Sequence, residues 1–168
     1  IIALAAIYLL ANWKQVLVLV TAFTVGHSLT LALSVYDVIR FDEKWIEFFI
    51  PLTIIATAAF NFLVKDFAAK SLRINYFLAL LFGLIHGMGF ANTIRFMLAS
   101  DQTIAVPLLS FNLGLEAGQM VVVALILAIG YLLVNRAGLK RKWWVWTLSA
   151  SAMIIAVNMA IERWPVGN

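Results

Sequence analysis

Apolar runs long enough to cross a bilayer recur along the whole chain and restrict the fold more than any other feature. A membrane-spanning helix needs about 20 predominantly apolar residues, and several runs approach or reach this length, separated by short charged connections. Of the 168 residues, 64% are hydrophobic and 12% charged, which excludes an ordinary soluble domain. Because the hydrocarbon layer offers the backbone no hydrogen-bond partners, we predict an all-α, polytopic transmembrane helical bundle forming a single domain over residues 1–168.

About six helices are predicted, over residues 1–11, 15–36, 45–64, 74–98, 107–134 and 143–161. The first run has about half the length of a spanning helix and starts with isoleucine, so we expect the sequence to begin inside a truncated first helix. The fifth run exceeds the length that a perpendicular helix requires and must tilt, protrude or break. Its polar first half, Pro107 to Gln119, favours a break or a cavity-lining face.

Charged and aromatic residues predict the topology. One side of the bundle collects eight of the twelve basic residues: Lys14, Lys65, Lys70, Arg73, Arg136, Lys140, Arg141 and Lys142. By the positive-inside rule this side is cytoplasmic, so the C-terminus lies outside. The predicted helix ends carry tryptophans that are expected to anchor at the interface: Trp13, Trp45, Trp143, Trp144 and Trp164. The net charge of +4 therefore indicates topology before any affinity for nucleic acid.

Both histidines of the chain lie inside apolar runs. His86 stands among glycines in FGLIHGMGFAN, Phe82 to Asn92, and His27 stands in FTVGHSLTLAL, Phe23 to Leu33. A titratable group in a bilayer core costs several kcal/mol unless it is paired, hydrated or bound to a metal, so it indicates a functional site. The structural alternative is a glycine packing surface with a histidine that hydrogen-bonds a neighbour.

A carboxylate is predicted at the depth of the two imidazoles. His27 follows Lys14 and His86 follows Arg73, each by thirteen positions, which is about 20 Å along a helix. Glu116 lies nine residues after Pro107 on a helix that enters from the opposite side, so its predicted depth in the bilayer is similar. Imidazole with carboxylate suits nickel, cobalt or zinc, and the absence of cysteine excludes thiolate ligands. The candidate metal ligands are His27, His86 and Glu116, and the candidates for surrounding or pathway residues include Ser28, Asn112 and Gln119.

The two histidine stretches resemble each other. Phe23 precedes His27 by four residues and Phe82 precedes His86 by four, and the two stretches are separated by 59 residues. A weak internal repeat with parallel orientation is therefore possible, as in some transporters.

Five stretches in order resemble the HupE/UreJ family of small bacterial inner-membrane proteins: TAFTVGHSLTLALS (Thr21 to Ser34), IEFFIPLTI (Ile46 to Ile54), FGLIHGMGFAN (Phe82 to Asn92), FNLGLEAGQ (Phe111 to Gln119) and IERW (Ile161 to Trp164). The resemblance covers nearly the whole chain. It implies nickel or cobalt uptake through a helical bundle in the bacterial inner membrane. The C-terminus, which the charge distribution places outside, would then be periplasmic. Residue by residue it supports His27, His86 and Glu116, with Gln119 and Glu47 as weaker members. Similar family members carry an Asp–His pair in the first helix, upstream of where this sequence begins.

The leading hypothesis is a protein that binds and transports a divalent metal ion, with the lipid bilayer and the ion as its partners and no nucleic acid. An enzyme is less favoured, but an intramembrane hydrolase with the same residues holding zinc remains open. Haem held by His27 and His86 is a further alternative. The chain could also be an accessory subunit of a membrane complex or a homo-oligomer.

Overall fold

Six α-helices make up most of the part of the chain that the structure describes. The computed structural model describes residues 1–63, 72–91, 94 and 105–165, and no strand occurs in these ranges. The helices are α1 Ile2–Ala5, α2 Trp13–Val35, α3 Glu43–Leu63, α4 Leu72–Gly89, α5 Ala105–Gly130 and α6 Arg141–Glu162. The all-helical prediction is confirmed.

Among the described residues, four helical segments are long and apolar enough to cross a membrane. They are Leu10–Val35, Glu43–Leu63, Ala105–Arg136 and Arg141–Glu162. A shorter apolar helix covers Ile74–Gly89, where the sequence predicts a span that continues to residue 98. The last part of that predicted span, apart from residues 90, 91 and 94, lies outside the described residues.

The most extensive helix contact joins α2 to α4, and glycines make it possible. A Cβ atom on Gly83 would overlap the carbonyl oxygen of Phe23, and one on Gly87 would overlap the carbonyl oxygen of His27 and the hydroxyl of Thr30. Small residues of this kind let two helix backbones approach closely. Because residue 23 meets residue 83 and residue 27 meets residue 87, α2 and α4 run in the same direction. The two similar histidine stretches therefore lie side by side.

The same contact is reinforced from the other helix. A Cβ on Gly26 would overlap the carbonyl oxygen of Leu80. Thr30 Oγ1 donates a hydrogen bond to the carbonyl oxygen of Leu84 at 2.7 Å, besides lying 3.1 Å from the carbonyl oxygen of Gly26 in its own helix. A hydrogen bond between helices adds specificity to van der Waals packing inside a membrane.

The first predicted span is wrong in its extent. The α-helix covers only Ile2–Ala5, and a short 3₁₀ turn, Leu10–Asn12, leads into α2. Side chains from other helices bond the carbonyl groups of this segment: Asn61 Nδ2 lies 2.7 Å from the carbonyl oxygen of Ala3, and Arg141 donates to that of Ile7. The segment does not continue as a helix, which leaves its carbonyl groups without partners in the following turn. Hydrogen bonds from Asn61 and Arg141 satisfy two of these carbonyl groups and thereby stabilise the segment.

The fifth span is continuous, so the break that the sequence offered as one alternative does not occur. The other alternative, a cavity-lining face, is confirmed, because Gly114, Leu115, Gly118 and Gln119 line a cavity between the helices. The α-helix runs through Pro107 to Gly130, and its irregularity is a π-helical turn at Tyr131–Arg136. Gly130 packs against the indole ring of Trp144, which would lie 3.1–3.3 Å from a Cβ on the glycine. Trp144 is 7% exposed, so its prediction as an interfacial anchor is wrong. The tryptophan is a core residue that packs where α5 changes its winding.

Replacing Gly87 with alanine is expected to lower the thermal stability of the purified protein, because the added Cβ meets backbone atoms of α2. Overpacking of this kind costs about 1–3 kcal/mol. The matched control is Gly118→Ala, since nothing lies within 4 Å of a Cβ at that position. Thermal unfolding followed by tryptophan fluorescence would compare the two variants, and equal transitions would contradict the close α2–α4 contact.

Candidate functional site

A cavity of about 760 Å³ lies between the helices and includes wall residues from all six of them. Most of its wall consists of apolar side chains and glycines. The polar side chains in the wall are His27, Thr53, Thr57, His86, Gln119 and Ser151. The structure thus brings both histidines into one cavity, at the level where Gly87 meets His27.

His27 projects from the middle of α2 and is 1% exposed. Neither of its ring nitrogens has a hydrogen-bond partner. Aromatic rings surround it: Phe23 and Phe111 stack on the imidazole at centroid distances of 6.1 and 6.2 Å, and Phe90 meets it edge-on at 5.7 Å. A buried polar group without a partner destabilises the fold, so this imidazole is available for a ligand.

His86 projects from α4 and is partly buried. Its Nδ1 atom lies 2.7 Å from the carbonyl oxygen of Phe82, one helical turn earlier. Because a carbonyl oxygen only accepts, Nδ1 carries the proton and Nε2 of the neutral ring keeps a lone pair. Backbone carbonyls orient metal-binding histidines in this way. His86 is therefore prepared to act as a ligand or a base through Nε2.

The repeated phenylalanines have different roles in the two stretches. Phe82 supplies the carbonyl group that orients His86. The ring of Phe23 instead packs beside both imidazoles, with a centroid distance of 6.1 Å to the ring of His27 and 5.2 Å to that of His86. Sequence reasoning missed Phe90 and Phe111 as neighbours of His27. Phenylalanine is common in apolar runs, and only the packing of the helices distinguishes these two from the rest.

Glu116 and Gln119 of α5 are held by threonines of α2. Thr24 Oγ1 donates to Gln119 Oε1 at 3.2 Å, and Thr21 Oγ1 donates to Glu116 Oε1 at 3.2 Å. Gln119 belongs to the cavity wall, but Glu116 does not. Within the described ranges, no three His, Cys, Asp or Glu side chains come together as a group that could hold a metal. The three-ligand site stays a prediction.

The remaining predicted residues lie outside the cavity wall. Asn112 Nδ2 donates to the carbonyl oxygen of Leu108 at 3.0 Å, and its Oδ1 atom is buried without a hydrogen-bond partner. Ser28 and Glu47 are partly buried on α2 and α3. Their roles as surrounding or pathway residues stay predictions.

A second pocket, of about 520 Å³, lies at the end of the bundle where α2 ends and α3 begins. Its wall includes Ser34, Asp37, Arg40, Glu43 and Met88. Arg40 and Asp37 form an ion pair, and the hydrogen bond to this carboxylate raises the pKa of the arginine. The carboxylate of Asp37 is therefore already compensated at this end of the bundle.

The fold and the cavity define a helical membrane protein that encloses two imidazoles among its helices. A sequence profile described as HupE / UreJ protein matches residues 1–164. The chain belongs to the HupE/UreJ family, which confirms the resemblance. No curated protein and no solved structure matches the chain significantly.

His27→Leu is expected to stabilise the metal-free protein by about 1–3 kcal/mol, because it removes a buried polar group that has no partner. Thermal unfolding in the presence of a chelator would measure the change. The matched control is His86→Leu, which removes a ring whose Nδ1 atom is bonded and should give no comparable gain. A His27→Leu variant less stable than the wild type would show that the imidazole is satisfied in the folded protein.

Proposed function

We propose that this protein binds a divalent transition metal ion of the nickel or cobalt class and transports it across the bacterial inner membrane. The observation that carries the proposal is the pair of imidazoles in one cavity. His27 is buried with two unpartnered ring nitrogens, and the Nδ1–Phe82 bond leaves Nε2 of His86 as an acceptor. Imidazole nitrogen suits nickel, cobalt and zinc, and membership of the HupE/UreJ family supports this choice.

Hydroxyl groups in the same wall can accept hydrogen bonds from a hydrated ion. Thr53 donates to the carbonyl oxygen of Ile50 at 2.7 Å, Thr57 to that of Thr53 at 2.8 Å, and Ser151 to that of Thr147 at 3.0 Å. Each proton is thus used within its own helix, while the oxygen lone pairs remain for other donors. Water molecules that accompany an ion would find acceptors here and no competing donor from these three side chains.

A divalent ion in this cavity also needs a negative charge. Two neutral imidazoles provide none, and a buried charge without compensation is strongly unfavourable. We assign this role to Glu116, which lies three residues before Gln119 on α5 and is bonded to Thr21. Its neighbours Gly114 and Gly118 leave open space on the helix surface. In this proposal the carboxylate of Glu116 gives up its hydrogen bond from Thr21 and binds the ion instead. A small movement of α5 would bring the carboxylate into the cavity.

Metal titration of the purified protein tests these roles. We expect nickel or cobalt to bind the wild type, His86→Ala to weaken the affinity by at least about tenfold, and Glu116→Gln to weaken it through the lost charge. Isothermal titration calorimetry after chelator treatment would measure both. Cells that carry the His86 variant should lose nickel and cobalt accumulation.

The control for this titration is Asn158→Ala, because Asn158 is an exposed polar residue of α6 outside the cavity wall. It should bind metal like the wild type. Unchanged affinity and accumulation in the His86 variant would contradict the proposed site. A wild type that binds none of the divalent ions would contradict the function itself.

We also propose that the basic end of the bundle faces the cytoplasm and the C-terminus faces the periplasm. Lys14, Arg136, Lys140 and Lys142 are exposed at this end, as the positive-inside rule requires of a cytoplasmic side. The predicted contributions of Lys65 and Lys70 lie outside the described residues.

Reporter fusions test the orientation. Alkaline phosphatase fused after residue 168 should be active, because the enzyme folds in the periplasm, and green fluorescent protein at the same position should be dark. The matched control places each reporter in the turn at Gly138, where the two results should be reversed. A fluorescent C-terminal fusion without phosphatase activity would invert the proposed topology.

A further inference from the structure

We propose that the basic end of this protein is a binding surface for anionic phospholipids. The surface, called the basic collar here, consists of Lys14 at the start of α2, Arg136 at the end of the π-helical turn, and Lys140 and Lys142 around the start of α6. It is separate from the two-histidine cavity and does not depend on the proposed metal transport.

The charges of the basic collar are of one sign. All four side chains are exposed. The acidic residues in the described ranges lie elsewhere: Asp37, Asp42, Glu43 and Glu47 near the opposite end, Glu116 within α5, and Glu162 at the end of α6. An anion that approaches the basic collar therefore meets cations without a described carboxylate beside them.

Packing brings the helix ends that carry these cations together. Trp144, in the first turn of α6, belongs to the same buried cluster as Val16 of α2 and Leu127 of α5. Arg141 donates to the carbonyl oxygen of Ile7, which ties the start of α6 to the segment before α2. The cations thus belong to one face at one end of the bundle, although residues 14 and 142 are far apart in sequence.

The turn between α5 and α6 has a defined shape. Gly138 has a φ of +73°, a conformation that costs other residues about 1 kcal/mol or more. The backbone N–H groups of Ala137 and Leu139 donate to the carbonyl oxygens of Leu132 and Leu133, both at 2.9 Å. Arg136 and Lys140 lie on the two sides of this turn, so the backbone between them loses little freedom when both side chains bind one ligand.

Aromatic rings place the basic collar at the level of lipid headgroups. Three of these cations each lie over an aromatic ring of their own helix end. The distance from Nζ to the ring centroid is 5.7 Å for Lys14 over Trp13 and 4.2 Å for Lys142 over Trp146, and the distance from Cζ of Arg136 to the centroid of Tyr131 is 6.0 Å. Tryptophan and tyrosine prefer the membrane interface, where the ring is partly in hydrocarbon and partly in water. Basic residues beside them meet the phosphate layer of the bilayer.

Apolar side chains continue from the basic collar along the outside of the helices. Large exposed residues on α2 and in the last part of α5 and its π-helical turn include Leu17, Val18, Ile129, Leu132 and Leu133. A phospholipid can place its headgroup on the cations and its acyl chains on this surface, whereas free phosphate can use only the cations. Charge complementarity and the adjoining apolar surface together favour a phospholipid as the ligand.

Quenching of tryptophan fluorescence by brominated lipids can test this surface, because Trp13 and Trp143 are exposed beside it. The full chain would be titrated in neutral detergent with brominated phosphatidylglycerol or brominated phosphatidylcholine. We expect preferential quenching by phosphatidylglycerol that weakens with added salt. Each basic residue near a membrane surface contributes about fivefold in affinity, so the triple change Lys14→Gln, Lys140→Gln and Lys142→Gln should reduce the preference at least about tenfold.

The matched control changes three basic residues at the opposite end, Arg40, Lys44 and Arg163, to glutamine and should keep the preference. Equal preference in the two triple variants would overturn the proposal. Full competition by millimolar inorganic phosphate would also overturn it, because the surface would then bind phosphate without lipid.

If the collar variant does not fold, the double change Lys140→Gln and Lys142→Gln takes its place, and an unchanged preference there counts against the proposal. Metal affinity should be the same in every variant that folds, so failure here leaves the proposed transport function intact.

Discussion

The close contact between α2 and α4 is the interaction on which the site depends. Gly83 and Gly87 allow the backbone of α4 to lie against Phe23 and His27 of α2. In a bilayer, helices gain little from hydrophobic burial, because lipid is as apolar as their side chains, so close van der Waals contact at small residues becomes decisive. The glycines beside His86 therefore serve as the packing surface that the structural alternative proposed. That same packing brings the second imidazole to the level of the first.

The cavity combines features that favour metal binding with one that opposes it. His27 is buried without a partner. His86 is oriented by a backbone carbonyl, which is an arrangement that metal-binding histidines commonly have. The cavity wall, however, contains no described carboxylate, and Glu116 is bonded to Thr21 outside it. A neutral cavity avoids the cost of a permanently buried charge. A carboxylate that joins the site together with its cation would compensate the charge only when compensation is needed.

The errors of the sequence predictions have a common physical origin in contacts between distant residues. The first span was expected to be helical to residue 11, but Asn61 and Arg141 bond its carbonyl groups and support a turn. Trp144 was expected at the interface, but Gly130 offers its ring a place in the core. Each outcome depends on a partner far away in sequence.

The sequence by itself determined the helical membrane fold and the family. Hydrophobic run length decides the fold locally, because a bilayer forces every spanning backbone to satisfy itself, and five ordered motifs carry the resemblance to the family. Only the tertiary structure decided that His27 and His86 share a cavity, that Phe23 contacts both rings, and that Glu116 stands apart from them. The rotation and register of neighbouring helices control these relations. They are fixed by backbone contacts at a few glycines that sequence spacing alone does not pair.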